Sequence, residues 1–366
     1  SDKLNDRNPG ILDAVIGFDG FVDEVVHVVD KRVDPEQYTR VLTLTEYGRR
    51  ITATSGLSSN VEIVTISKKL GGNGPILANA LIECGVKMTY IGAIGYPDVN
   101  PVFLDMVARC KQVIPVCEPA STDAMEFEDG KIIRSKLSPF RDLNFETIKA
   151  RVGLEALATL LDESTLLGFE NWALPPYSGQ IWQGIYEQVL PLMKSDTRSK
   201  TLFFDLADPA SRQGSELKSA LDTISAFARH FHVILGLNLR EAVQVASLFG
   251  GAFDTACCNL EALTRYLQNH VSVQTLVIHP VKESCCLVDN VYYHRGGPFC
   301  VKPKLTTGAG DNFNAGFVLG ISLGLEPQEA LLLGMATSGF YVRQSRSGSL
   351  EELKDFLGLW ANNEID

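Results

Sequence analysis

The first apolar run along the chain, Leu12-Asp13-Ala14-Val15-Ile16-Gly17-Phe18, predicts a buried first strand. β-Branched residues over 24–30 and alternation over 61–66 predict two further strands. Helical periodicity over 42–51, stopped at Gly56, separates them. Next come a helix over 76–85 ended by Gly85, a strand over 88–95 and a helix-like stretch over 101–110. Two strand-like arms over 125–133 flank Asp129-Gly130 and read as a hairpin. From about Phe140 apolar runs at 165–169, 201–205, 233–237 and 275–279 alternate with helical segments, followed by a second hairpin around Asp289-Asn290. That alternation predicts a parallel sheet covered by helices. Near the end Gly316, Gly320 and Gly324 share a helical face, which lets that helix lie close to its neighbours. The helix that follows carries Gly334, Ala336, Thr337, Ser338 and Gly339.

Composition narrows the picture. With 366 residues, 45% of them apolar, the chain can bury a large core as one α/β domain with an insertion or as two ordinary domains. A formal net charge of −11 argues against nucleic acid and anionic membranes as partners. No window approaches a membrane span, and the polar opening Ser1-Asp2-Lys3-Leu4-Asn5-Asp6 lacks the pattern of a signal peptide. The eight cysteines form no Cys-x-x-Cys, which disfavours a disulfide or metal framework and fits a reducing cytoplasm.

The chemistry concentrates in two glycine loops and several strand-end acids. Thr307-Gly308-Ala309-Gly310-Asp311 feeds a helix N-terminus, whose unpaired amides and positive dipole end suit a phosphoryl charge. A carboxylate at that point can take a proton from a hydroxyl, although an isolated Asp there is as readily a cap. Gly71-Gly72-Asn73-Gly74-Pro75 is a second loop entering a helix. Asp19, Asp23 and Glu170 lie beyond strand ends, where open α/β sheets bind ligands, or are merely polar loop residues. Asn238 and Glu241 have the spacing of a capping pair. His279 reads as a strand-end hydrogen bonder.

Taken in order, these segments resemble the ribokinase family, also called the PfkB carbohydrate kinases, along nearly the whole chain. The resemblance implies a three-layer α/β/α sandwich with a central mostly parallel sheet and a small β-sheet lid. It places the core at 1–23, 67–100 and 137–366 and the lid segments at 24–66 and 101–136. It makes Asp311 the base that activates the acceptor hydroxyl, with Gly308, Ala309 and Gly310 as the anion hole. Substrate contacts fall to Asp19 or Asp23, with Asp23 favoured, and to Gly71, Gly72, Asn73 and Glu170. Asn238, Glu241 and Thr307 belong to the nucleotide phosphates, and Mg²⁺ is held through water and phosphates rather than by direct ligands.

Three positions depart from the family pattern. Leu305 replaces a polar residue, and Ile76 replaces an asparagine for which Asn73 or Asn79 would compensate. Pro280-Val281-Lys282-Glu283-Ser284 replaces a glycine-bearing turn, making Lys282 a candidate phosphate contact. The implied activity is ATP-dependent transfer of a phosphoryl group to a sugar or similar polyol, with Mg²⁺ and a monovalent cation such as K⁺ near 345–349. The absence of an Arg or Lys cluster in the glycine loops favours an unphosphorylated acceptor. A nucleoside kinase and a catalytically silent sugar- or nucleotide-binding protein are the alternatives. Exposed lid strands imply a homodimer.

Overall fold

The computed structural model describes residues 2–365; Ser1, the first residue of the polar opening, lies outside them. Nine strands form the main sheet: β1 (Asp13–Phe18), β5 (Lys87–Gly92), β6 (Gln112–Pro115), β9 (Leu166–Phe169), β10 (Thr201–Asp205), β11 (His232–Leu237), β12 (Thr275–Ile278), β13 (Glu283–Val288) and β14 (Val291–Gly296). Their order is β14-β13-β12-β11-β10-β9-β1-β5-β6. Every pairing from β6 to β12 is parallel, and β13 and β14 add an antiparallel hairpin at one edge.

The central strands read as unbroken apolar runs because both faces are buried. Successive residues serve opposite cores: Leu202 and Phe204 join one cluster, and Phe203 between them joins the other. The first cluster is covered by helices that include Phe145–Val152, Leu154–Glu163 and Gly214–Phe227. The second is covered by Asn73–Glu83, Ala309–Ser322 and Pro327–Gln344. Helix, sheet and helix therefore stack as three layers, the expected α/β sandwich.

A second, five-stranded sheet is the lid. β2 (Phe21–Arg32) is its spine, paired with β4 (Ile63–Gly71) along one edge and with β7 (Ala120–Phe127) and β3 (Tyr38–Arg40), while β8 (Gly130–Lys136) closes the hairpin with β7. Its strands occupy 21–71 and 120–136, whereas the sequence reading set the lid segments at 24–66 and 101–136. Residues 112–115 instead extend the main sheet beside β5. Alternation splits the lid into two faces. Val26, Val28, Met125 and Phe127 form a small core under the helix Leu44–Ala53. Asp23, Val25, Ala124 and Glu126 face the cavity below.

The glycine stripe resolves into two functions. A Cβ at Gly316 would come within 2.7 Å of the Leu333 carbonyl, and one at Gly320 within 2.8 Å of Ala330 Cα, so these two permit the close crossing of Ala309–Ser322 over Pro327–Gln344. Gly324 is not part of that contact; its φ of +71° ends the helix. Gly316→Ala is therefore expected to destabilise the protein by about 1–3 kcal/mol through overpacking. Urea denaturation measures this, and an unchanged midpoint would show that the two helices are not held at this distance.

Candidate functional site

The helix Ala309–Ser322 begins at Gly308, whose φ of +92° is a left-handed conformation that a side chain would strain. A Cβ there would also meet Tyr341 Oη at 2.8 Å and crowd Ile76. That turn brings Asp311 into the first helical turn, buried to 7% exposure, where Asn73 Nδ2 donates to its Oδ1 at 2.8 Å. Asn73 itself opens the helix Asn73–Glu83, so two helix N-termini meet across one hydrogen bond.

The first glycine loop is held from below. Asp19, at the end of β1, is fully buried and accepts from the amides of Asn73 (3.0 Å) and Gly74 (2.9 Å) and from Asn171 Nδ2 (2.7 Å). With its oxygens occupied it does not line either cavity of the site. Asp19 is thus a clamp on the loop rather than a ligand facing the substrate side. Asp23 is the acid that faces the cavity, 9% exposed and accepting from Thr122 Oγ1 at 2.6 Å.

Two cavities meet at the 306–311 loop. One of about 250 Å³, roofed by the lid, is lined by the apolar Phe21, Val25, Ile76, Ala124, Ile133 and Leu174 together with Asp23, Lys69, Gly72, Asn73, Thr122, Glu126, Lys131, Ser135, Asn171, Thr307, Gly308 and Asp311. The other, of about 330 Å³, is lined by Asn238, His279, Pro280, Val281, Phe299, Thr306, Ala309, Gly310, Phe313, Met335, Ser338 and Gly339 among others. The backbone of 306–311 is the wall between them. Asp311 shows its carboxyl to the first cavity, while Ala309 and Gly310 turn toward the second.

Several expected residues lie elsewhere than the sequence implied. Glu170 is buried beneath the first cavity with both carboxyl oxygens unpartnered, and its neighbour Asn171, at φ +54°, reaches the wall instead. Gly71 is buried and touches Asp23, where an added Cβ would clash with its carboxyl. Asn238 and Glu241 form the reciprocal capping box, and only Asn238 lines the second cavity. Thr307 lines the first cavity, with Thr306 lining the second. Lys282 is exposed, its ammonium 4.8 Å from the Phe299 ring at the rim of the second cavity. Asn79 accepts from Arg109 on the surface, away from both cavities, so of the two asparagines only Asn73 stands in the site.

Lys69, Thr122, Glu126, Lys131, Asn171 and Asp205 were not singled out as ligands from the sequence. The lid residues had a legible signal: the Asp129-Gly130 turn sets Glu126 opposite Lys131, and alternation then puts both on one face. Asp205, ending β10, accepts from Ala207 N at 2.8 Å and from Asn314 Nδ2 at 3.2 Å.

The electrostatics of this end of the sheet are dominated by crowded carboxyls. Burial raises Asp19 and Asp205 to about 6. Burial also pushes Glu170 well up, followed by the charges of Asp205, Asp311 and Asp19. Asp311 is raised well above the ordinary aspartate value by burial and then by Asp205, with Asn73 pulling it back. Glu241 follows the same pattern. A carboxylate so raised is a better proton acceptor, which suits a base. His279 is driven down to about 4 by burial and stacks on Phe313 at 4.7 Å, so it is neutral near pH 7.

The family model described as prokaryotic ketohexokinase matches residues 7–360. The chain is similar to a ketohexokinase of Haloferax volcanii, 28% identical over 344 residues that cover 93% of this chain and 90% of that protein. Among solved structures it resembles a ribokinase of Thermotoga maritima, with a TM-score of 0.65 at 19% identity over 95% of this chain and 99% of that one. It also resembles an E. coli protein of ribokinase type solved with ATP and Mg²⁺, with a TM-score of 0.61 at 13% identity over 95% and 99% of the two chains. Among the described residues no helix is long and apolar enough to cross a membrane.

The raised carboxyls give the stability a distinctive pH dependence. An acid whose folded pKa exceeds its unfolded value binds more protons when folded, so stability falls as pH rises through that window. For Asp19 and Asp205 the window runs from 3.8 to about 6. The apo protein is expected to unfold at higher denaturant at pH 5.5 than at pH 7.5, and Asp205→Asn is expected to flatten that difference. A wild-type stability that rises from pH 5.5 to 7.5 would contradict the crowding.

Proposed function

From the premise that the chain belongs to the prokaryotic ketohexokinase family, sugar kinases of the ribokinase/PfkB type, we propose that it transfers the γ-phosphoryl group of ATP to a primary hydroxyl of a ketohexose. The observation that carries this reading is the position of Asp311 at the wall shared by two cavities, one suited to a polyol and one to a nucleotide.

The roles follow from that wall. The acceptor sits under the lid with its hydroxyl at Asp311, which takes the proton as the oxygen attacks. Asn73 fixes the orientation of the carboxyl through its 2.8 Å hydrogen bond. Of the amides at Gly308, Ala309 and Gly310, at the start of the helix Ala309–Ser322, that of Ala309 donates to the Thr306 carbonyl at 3.1 Å, and those of Gly308 and Gly310 meet the charge on the phosphoryl group. Asp23 hydrogen-bonds the sugar from the lid, and Asn171 and Asn73 add amide contacts. The nucleoside lies in the second cavity, where Ser338 and Gly339 leave room for a flat base. Lys282, at the rim, is placed to meet the phosphates.

The carboxyls of Asp205 and Glu241, crowded and held above their usual range, are a donor set whose repulsion a divalent cation relieves. Mg²⁺ bound with ATP near Asn238 and Glu241 would supply neutralisation of the phosphate charge. Asn238 and Glu241 would hold it indirectly, through water.

Charge balance under the lid supports a neutral acceptor. Lys69 stands directly opposite Asp23 in the β2–β4 register, and Lys131 opposite Glu126 in β7–β8. Lys69 thus faces an acid, and Lys131 reaches toward the 306–311 loop, where its ammonium donates to Thr307 Oγ1 at 3.3 Å, so neither stands apart to hold a second phosphate on the sugar.

Two further features complete the proposal. Ser347 Oγ donates to Asn312 Oδ1, and Asn312 Nδ2 donates to the Gly308 carbonyl, so a monovalent cation at the 345–349 turn would act on the anion-hole loop. β4 is an edge of the lid with Ile63 and Ile66 exposed, which supports a homodimer through lid edges. The free thiols of all eight cysteines fit a reducing cytoplasm, and the net charge of −11 argues against nucleic acid or an anionic membrane as a partner.

ADP release across a panel of ketohexoses, aldohexoses, sugar phosphates and nucleosides is expected to be greatest with a ketohexose. Asp311→Asn should lower kcat by about 10²- to 10⁴-fold without loss of fold. Near-normal turnover of that variant would remove Asp311 from its role, and replacement of K⁺ by tetramethylammonium in the same assay tests the cation. Sedimentation is expected to give a dimer that Ile66→Lys on the β4 edge weakens; a wild-type monomer at micromolar concentration would defeat the lid-edge proposal.

A further inference from the structure

The lid carries a cation to the loop that ends in the base. Lys131 follows the Asp129-Gly130 turn directly, and its place opposite Glu126 puts its side chain on the cavity face. Its ammonium donates to Thr307 Oγ1 at 3.3 Å. Thr307 immediately precedes Gly308, Ala309 and Gly310, so this is a contact from the lid to the anion-hole loop itself.

The hairpin is firmly part of the lid. Asp129 Oδ1 accepts from Leu44 N at 2.7 Å, and Leu44 packs on the outer lid core. Lys131 therefore travels with the lid, while Asp311 belongs to the core helix. The partners Lys131 now has are weak ones. Glu126 lies 3.6 Å away and is 42% exposed, so that ion pair is loose and screened. A threonine hydroxyl is a neutral acceptor. A phosphoryl group with charge spread over its equatorial oxygens would hold the ammonium more strongly than either.

We propose that Lys131 is a catalytic residue of phosphoryl transfer, delivered by the lid, which exchanges the Thr307 hydroxyl for the non-bridging oxygens of the γ-phosphoryl group. The inference rests on the reading of Asp311 given above. In the step, the acceptor oxygen forms its bond to phosphorus and the bond from phosphorus to the bridging oxygen breaks, its electron pair leaving with ADP. The hydroxyl proton passes to Asp311, and Lys131 keeps all of its protons. The full charge set, amides from the core and ammonium from the lid, is assembled only when the lid stands over the site. Lys69 does not share this role, since its register partner is Asp23 and none of its hydrogen bonds or ion pairs among the described residues reaches the 306–311 loop.

Lys131→Met and Lys131→Arg test this in the intact enzyme, with kcat and KM for a ketohexose and for MgATP, direct titration of sugar binding, and thermal melting to check the fold. Expected for Lys131→Met are a kcat lowered by about 10²- to 10³-fold, sugar affinity and sugar KM within about threefold of wild type, and an unchanged melt. Lys131→Arg should recover most of the lost kcat. An unchanged kcat, a loss confined to sugar affinity, or an arginine variant no better than methionine would overturn the proposal. If Asp311→Asn is inactive while Lys131→Met is fully active, only this inference falls; if Asp311→Asn is active, the site reading falls with it.

Discussion

Burial of carboxyl groups beyond the ends of the parallel strands is the constraint around which this site is built. Asp19, Glu170, Asp205, Glu241 and Asp311 each lie in low dielectric, and the charges of Asp19, Asp205 and Asp311 raise the proton affinity of others among them. An ionised carboxyl moved out of water costs several kcal/mol unless something answers its charge. The fold answers part of it with helix N-termini: Asp19 accepts the first amides of Asn73–Glu83, and Glu241 accepts the Asn238 amide at the start of Leu239–Leu248. The remainder is left open, most plainly at Glu170, whose oxygens have no partner. A site held in that condition is a poor place for an anion alone and a good one for an anion that brings its own cation.

The same end of the sheet is divided by a single stretch of backbone. Gly308 takes the left-handed turn, and along this stretch successive residues alternate between the cavities: Thr306 to the second, Thr307 and Gly308 to the first, Ala309 and Gly310 back to the second, Asp311 to the first. Tyr341 Oη donates to the Thr307 carbonyl at 2.9 Å and pins the stretch from the neighbouring helix. Because the proposed donors and the proposed base come from consecutive residues of one rigid turn, their separation is set by covalent geometry and does not depend on loops finding one another. Preorganisation of this kind places charge where it will develop without reorganisation at the moment of reaction.

What the sequence disclosed, and what it withheld, divides along physical lines. The layer architecture was legible because strands buried on both faces and amphipathic helices leave different periodicities, and the Asp129-Gly130 and Asp289-Asn290 turns announced their hairpins. Asp311, Asn238 and the Gly71-Gly72-Asn73 loop were legible because backbone-defined sites leave local motifs. Asp19 and Asp23 were not separable, because both are acids just past β1 and only the tertiary path of the helix Asn73–Glu83 decides which one is consumed as its cap. Glu170 was overrated for the same reason: a strand-end acid points up or down according to a local twist, here the positive φ at Asn171, that composition does not encode. Lys69 and Lys131 were missed as cavity-lining residues because their placement comes from register across lid strands. The lid boundary at 101–136 failed because β6 is short and polar at its first position, and nothing local says that it joins the main sheet.

Ile76 shows how the site tolerates the loss of a polar ligand. Its side chain packs against Gly308, bracing the second glycine turn with the first helix. The polar work passes one turn back to Asn73, whose amide is held by Asp19 and whose side chain holds Asp311. One residue thus ties the clamp at the end of β1 to the base at the start of Ala309–Ser322. Any movement that shifts the first glycine loop, as a sugar of the wrong shape pressing on Gly72 and Asn73 would, must also turn the carboxyl of Asp311 or break a hydrogen bond to it. Acceptor fit and base orientation are therefore one mechanical variable. A site so linked can discriminate among acceptors through turnover as well as through affinity, since a poorly seated sugar meets a misdirected base.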